Sequence, residues 1–134
     1  MLNIIFEKPN ADFEWCEAKR YPHIFTTKET WLNAIQHGKE IDPETLCLAG
    51  IIKNTDYEQS LDAMQYAFKK YITRDRQRRI TKMFNQKDIR IELPIVMKYA
   101  DEYELIAGNT RLTKMGILHR QIGFPVRVFL INPI

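Results

Sequence analysis

Long apolar runs are missing from this 134-residue chain. No stretch approaches the roughly 18 consecutive apolar residues that a membrane-spanning helix needs, so no membrane partner is expected. Cysteine is scarce: Cys16 and Cys47 stand alone, in no Cys-x-x-Cys pair and beside no histidine cluster. That excludes a disulfide scaffold and a structural zinc site, and predicts two free, buried thiols. His23, His37 and His119 are too scattered to suggest a metal centre. Glycine and proline, at 5 and 6, are too few for a collagen-like or linker-like chain. Low-complexity segments and internal repeats are absent. The opening Met1-Leu2-Asn3-Ile4-Ile5-Phe6-Glu7-Lys8 lacks a basic stretch followed by an apolar one. A secretory signal is therefore not expected, and the chain reads as cytoplasmic.

What is present describes a folded domain. A hydrophobic content of 45% with 28% charged residues is incompatible with disorder. The length suits one domain, residues 1–134, with enough buried surface for a core.

The net charge of +3 hides an uneven distribution. Residues 1–68 are acidic overall. Residues 69–82 hold Lys69, Lys70, Arg74, Arg76, Arg78, Arg79 and Lys82 against Asp75 alone, more than the whole chain's excess. A stripe of this kind attracts phosphates. On a helix, Lys70, Arg74 and Arg78 fall on one line, with Lys69, Arg76 and Arg79 beside it. The competing reading is a solvated helix face balanced by the acidic first half.

Periodicity predicts a mainly helical part over 1–90. Leu2 to Phe6 reads as a buried strand, and Phe13 to Ala18 is ambiguous between strand and turn. Thr26 with Glu29 forms a capping-box pattern ahead of Trp31, Leu32 and Ile35, with Gly38 as the stop. Asp42-Pro43 is a second helix start, leading to Leu46, Leu48 and Ile51. Thr55 with Glu58 is a further capping box. It opens a segment in which Leu61, Met64, Phe68, Tyr71 and Ile72 keep helical spacing. Tyr71 belongs to that apolar stripe, which points to core packing, with stacking on a nucleobase as the alternative. The stripe fades over 73–79 and returns at Ile80, Met83 and Phe84, which predicts one long helix or a break near Thr73-Asp75. Asn85 to Asp88 reads as a loop.

The part over 91–134 is clearer. A strand over Leu93–Tyr99 and a return over Tyr103–Ala107 make a hairpin. Gly108 ends it, a helix through Leu112, Met115 and Leu118 follows, Gly123 and Pro125 close that helix, and Val126–Ile131 is a last strand. The fold class expected is α+β, with a small mixed sheet.

The chemistry concentrates at Gly108-Asn109-Thr110-Arg111, where a strand runs into a glycine and a helix opens directly behind it. Asn109 and Thr110 suit a helix cap. Free N–H groups at the helix start form an anion site, and Arg111 adds a guanidinium fork for a phosphate. An arginine in a first turn opposes the helix dipole, so its presence calls for a compensating gain.

The stretch Leu93-Pro94-Ile95-Val96-Met97-Lys98, then Tyr103-Glu104-Leu105-Ile106-Ala107-Gly108-Asn109-Thr110-Arg111-Leu112, then Gly123-Phe124-Pro125-Val126-Arg127-Val128 resembles the ParB/sulfiredoxin superfamily. The resemblance covers the C-terminal third. It implies that Gly108, Asn109, Thr110 and Arg111 form a phosphate loop. Sulfiredoxins place a reactive cysteine directly after that glycine; Asn109 stands there, so sulfiredoxin chemistry is not expected. ParB proteins usually read Gly-Glu-Arg-Arg where this chain has Gly108-Asn109-Thr110-Arg111, and the chain stops before further ParB motifs, so a full clamp is not expected. The segment Trp15-Cys16-Glu17-Ala18-Lys19-Arg20-Tyr21 is similar to one in small phage-like members. By that resemblance Glu17 takes the part of a base, with Lys19 and Arg20 on phosphate. The competing reading makes Trp15 and Tyr21 structural and these charges solvated.

Three functions follow as expectations. The first is a phosphate-recognising domain acting on nucleic acid, a small nuclease. It would use Glu17 or Glu104 as the catalytic carboxylate and Lys70, Arg74, Arg78 and Arg79 on the strand. The second is a nucleotide-dependent phosphotransferase or hydrolase. The third is a non-catalytic module that binds DNA or protein. The first two imply Mg²⁺ and a nucleotide as cofactors. Short edge strands leave a homodimer open.

Overall fold

The computed structural model describes residues 3–47, 52–57 and 60–133. In chain order the described elements are β1 (Asn3–Glu7), α1 (Ala11–Ala18), α2 (Lys28–Gln36), β2 (Lys39–Ile41), α3 (Glu44–Cys47), β3 (Ile52–Lys53), α4 (Leu61–Tyr71), α5 (Arg74–Phe84), β4 (Asp88–Glu92), β5 (Ile95–Tyr99), β6 (Glu102–Ala107), α6 (Asn109–Ile122) and β7 (Val128–Ile131). The fold is α+β.

The C-terminal part follows the sequence closely. Strands β5 and β6 pair antiparallel around Ala100 and Asp101, both at positive φ, the geometry a tight hairpin turn requires. Helix α6 then carries the chain across to β7, which lies parallel to β5. Strands β2 and β3 extend the edges, giving the order β2-β7-β5-β6-β3.

Ile95, Val96 and Met97 are all buried because helices cover both faces of the sheet. Alternation sends Ile95 and Met97 to one face, where they join Trp31, Phe25, Ala18 and Ile106 under α1 and α2. Val96 points to the other, among Leu105, Leu112, Met115 and Val128 under α6. The fully buried Trp31 donates its indole N–H to the Ala11 carbonyl at 2.8 Å, tying α2 to α1. Met64, Phe68, Ile72 and Ile117 seal α4 against α6. Gly116 makes this approach possible, since a Cβ there would lie 2.9 Å from Met64 Sδ.

The N-terminal part departs from expectation in several places. Residues 11–18 are helix, because Asn10 accepts from the Phe13 N–H as an N-cap; this local bond overrides the missing periodicity. The cap of α2 is Thr27 rather than Thr26, accepting from the Thr30 N–H. Helix α4 is capped by Ser60, not by Thr55. Glu58, Leu48, Ile51 and Leu2 lie outside the described residues. The predicted strand over 93–99 divides at Pro94, and Asp88, read as loop, begins β4, which pairs parallel with β1 in a separate two-stranded sheet. The last strand begins at Val128 rather than Val126. Leu32, placed on the apolar face of α2, is exposed at the limit of that face. Cys16 is exposed rather than buried, on the open side of α1.

Of the two expectations for this segment, one long helix or a break, the structure shows a break, at Ile72-Thr73. Ile72 is extended, and Thr73 starts α5 by accepting from the Arg76 N–H. Lys70 therefore stays on α4, bonded to Tyr66 Oη at 2.7 Å, and shares no line with Arg74 and Arg78.

Candidate functional site

The loop after β6 is shaped by its neighbours. Gly108 turns the chain at φ +94° and is itself the N-cap of α6. A Cβ at this position would fall 2.9 Å from both Cα and Cβ of Pro94 and 2.8 Å from a guanidinium nitrogen of Arg111. Only glycine satisfies both the conformation and the space. No side chain caps α6, so its first N–H groups are left at the positive end of the helix dipole.

Asn109, which reads as a cap, does something else. Its Oδ1 accepts from Thr55 Oγ1 at 2.7 Å, from the Asp56 N–H at 3.2 Å and from Thr113 Oγ1 at 3.3 Å. Its Nδ2 donates to the Asp56 carboxylate at 3.3 Å. Thr55 and Asp56 are thus a clasp on the loop. The Asn109 side chain is spent on that clasp, and only its backbone is left to face a ligand.

The loop forms the floor of a cleft of about 670 Å³. Helix α1 supplies one wall with Phe13, Glu14 and Glu17, continued by Arg20; Tyr71 and α5 supply the other, with Arg76 and Arg79. Thr110 and Arg111 line it between them. Four arginines from three regions of the chain therefore open onto one space. Arg20 is already engaged, bonding Glu17 at 2.9 Å and the Ile106 carbonyl at 2.8 Å. Among the described residues Arg76, Arg79 and Arg111 form no ion pair, and the buried Arg111 Nε has no hydrogen-bond partner.

The sequence candidates divide cleanly. Glu17, Arg20, Arg79 and the stretch Gly108–Arg111 meet in the cleft. Lys19 lies instead over the Trp15 ring, 5.7 Å from its centroid. Glu104 is turned to a shallow surface beside Tyr21, Lys53 and Asn54. There burial, and next the Glu104 carboxylate accepting from the Tyr21 hydroxyl, push that phenol up to about 12. Arg74 and Arg78 face outward, where with Lys82 they line an open groove of about 700 Å³ on the far side of α5. That groove is one helix face, without a carboxyl group in its lining.

Sequence reasoning gave no site role to Glu14 or Phe13, and counted Arg76 only as a flank of the basic stripe. The first two were hidden because residues 11–18 lack apolar periodicity; the Asn10 cap was the signal that places them on a helix. Arg76 shows itself by its three-residue spacing from Arg79, once α5 is seen to start at Arg74.

The chain matches no family model, no curated protein and no solved structure. The functional reading therefore rests on the cleft's own chemistry and on the motif over 93–128.

Glu14 is a buried carboxyl group. Burial raises its pKa above the ordinary value of 4.5; Arg111 opposes this, while Glu92 and Glu17 add to it. Folding thus favours its protonated form. The stability tied to that proton is fully present below about pH 4.5 and is lost as the pH rises through the raised value. Glu14→Gln removes this loss. In urea unfolding between about pH 4 and pH 8, the variant gains on the wild type as the pH rises and is the more stable at neutrality. Parallel curves would contradict the assignment.

No helix among the described residues is long and apolar enough to cross a membrane. Among the described residues no three His, Cys, Asp or Glu side chains gather into a metal cluster. The cleft lining contributes two carboxyl groups, Glu14 and Glu17, and Glu17 is tied to Arg20.

Proposed function

We propose that this chain is a ParB-like domain whose cleft holds phosphates of a nucleic acid, with Glu14 and Glu17 serving phosphodiester hydrolysis. One observation carries the reading: the uncapped start of α6 and four arginines open onto a single cleft, three of the arginines without an ion pair among the described residues. Gathering like charges costs stability, and a bound polyanion relieves that cost. The resemblance of 93–128 to ParB/sulfiredoxin domains supports the same loop as the phosphate contact.

In this reading Arg111 and the α6 N–H groups hold one phosphate, and Arg76 and Arg79 bind it or its neighbour from the opposite wall. Glu17 takes a proton from the attacking water. The water oxygen bonds to phosphorus as the ester bond to the leaving oxygen breaks, and Glu14, whose pKa burial raises, gives its proton to that oxygen. Arg74 and Arg78, outside the cleft, add contacts along the strand.

Fluorescence anisotropy with a labelled oligonucleotide tests this. The double variant Arg76→Glu/Arg79→Glu is expected to bind at least about tenfold more weakly for each arginine lost. The salt slope of log K should fall by about 0.7 for each single-strand phosphate contact removed. Binding indifferent to both arginines and to salt would sink the reading. Cleavage that survives both Glu14→Gln and Glu17→Gln would remove the catalytic part and leave the binding part.

A nucleotide-dependent hydrolase is the second reading, favoured by the size of the cleft, which lies within the range of small-ligand pockets. It predicts that a nucleoside triphosphate competes with the oligonucleotide and is itself turned over.

A further inference from the structure

Phe13 and Tyr71 are the two most exposed large hydrophobic side chains of the described residues, at 71% and 69%. Both line the arginine cleft, one from α1 and the other from the end of α4. The sequence places Tyr71 in an apolar stripe, where packing would hide it. Instead the break at Ile72 leaves it on the surface, touched at the edge by Tyr66 and approached by Lys70 Nζ at 5.9 Å from the ring centroid.

An exposed phenylalanine and an exposed tyrosine on opposite walls need a covering surface. Their surroundings say what kind. Between them stand Arg20, Arg76, Arg79 and Arg111, with Ile72, Ile80, Met83 and Leu105 in the same lining. A protein partner with an apolar face would have to strip water from four guanidinium groups to reach these rings. A ligand that alternates flat apolar faces with negative charge matches both features.

We infer that the cleft takes nucleic acid as an unpaired strand, its bases stacked on Phe13 and Tyr71 while its phosphates lie on the arginines. A paired base hides its faces within the helix stack and presents only edges to a groove. An unpaired base frees a face for an aromatic side chain, whatever its identity. The inference rests on the phosphate-cleft reading and adds the strandedness of the substrate. It also predicts little dependence on base sequence.

The test compares an oligothymidylate of about ten nucleotides, an abasic strand with the same number of phosphates, and a duplex of the same length, by anisotropy. Wild-type protein is expected to bind the oligothymidylate roughly ten- to a hundredfold more tightly than the abasic strand, and more tightly than the duplex. Phe13→Leu/Tyr71→Leu keeps two apolar side chains at exposed positions and removes only the rings. It should bring oligothymidylate binding down to the abasic level and leave abasic binding unchanged. Arg76→Glu/Arg79→Glu should weaken both strands together. Equal affinity of the wild type for the abasic strand and oligothymidylate, or preference for duplex, overturns the stacking inference while the phosphate cleft stands. Failure of every strand to bind overturns the cleft reading itself. A leucine pair that changes the elution volume but not oligothymidylate affinity assigns the rings to self-association and likewise overturns the inference.

Discussion

Arg111→Ala is expected to weaken binding of a phosphate ligand by about 1.5–3 kcal/mol, roughly ten- to a hundredfold, the scale of a charge-assisted hydrogen bond. It does so without lowering the melting temperature of the free protein. Both halves follow from the same atoms. The Arg111 Nε is buried with no hydrogen-bond partner, so in the free protein this atom adds desolvation without a compensating bond, which offsets what the guanidinium gains from facing Glu14. In the proposed reading its partner is the ligand's phosphate. A structural arginine would behave in the opposite way, and its loss would lower the melting temperature first. Arg111→Lys should recover little of the affinity, because a single ammonium does not reproduce the planar fork. Isothermal titration alongside thermal unfolding separates these cases. A variant that loses stability but keeps affinity would sink the phosphate-loop assignment.

Gly108→Ala is expected to cost about 2–4 kcal/mol of stability, combining left-handed backbone strain with crowding in a packed site. That is on the order of 10 °C in Tm for a domain of this size. The strain comes from φ +94°, and the crowding from Pro94, whose Cα and Cβ lie 2.9 Å from where the new methyl would sit. Gly123 provides an internal control. It has φ +71° but nothing within 4 Å of its hypothetical Cβ, so Gly123→Ala should cost only the backbone term, roughly 1–2 kcal/mol. Differential scanning calorimetry of the two variants measures the contribution of Pro94 by difference. Equal losses would mean that the loop moves away from Pro94 at little cost.

The C-terminal third was legible because its signals are local and agree with one another. Alternating apolar residues, a turn at Ala100-Asp101 and a glycine at each end of α6 leave few other structures open. The N-terminal part was harder for identifiable reasons. Thr55 and Asp56 have the composition of a helix cap, but their partner is Asn109, across the fold, and no local pattern reveals a bond between residues so far apart. The short strands β2 and β3 exist because β7 and β6 offer them edges, not because of their own propensity. At the site, the glycine loop and Arg79 were read from residue type and spacing, and Glu17 and Arg20 from the resemblance to small phage-like domains. Glu14 was not, since its burial, and the charges of Arg111 and Glu92 acting on it, are tertiary facts. Glu104 was drawn in by its nearness to Gly108 in sequence; the direction of its side chain on β6 takes it elsewhere.

Helix α5 carries Arg76 and Arg79, yet its one buried residue is Phe84, at the far end. Its opening turns are held by the Thr73 cap and by the Gln77 side chain, which donates to the Ile72 and Lys69 carbonyls. Ile80 and Met83 are only partly buried against the core, so the amide protons of α5's opening turns should exchange with deuterium faster than those of α6. A strand bridging α5 to the α6 loop ties the loose wall to the rigid one and slows that exchange by mass action. The observed affinity then includes the fraction of time the wall is seated, and ligand escape keeps pace with the breathing of α5.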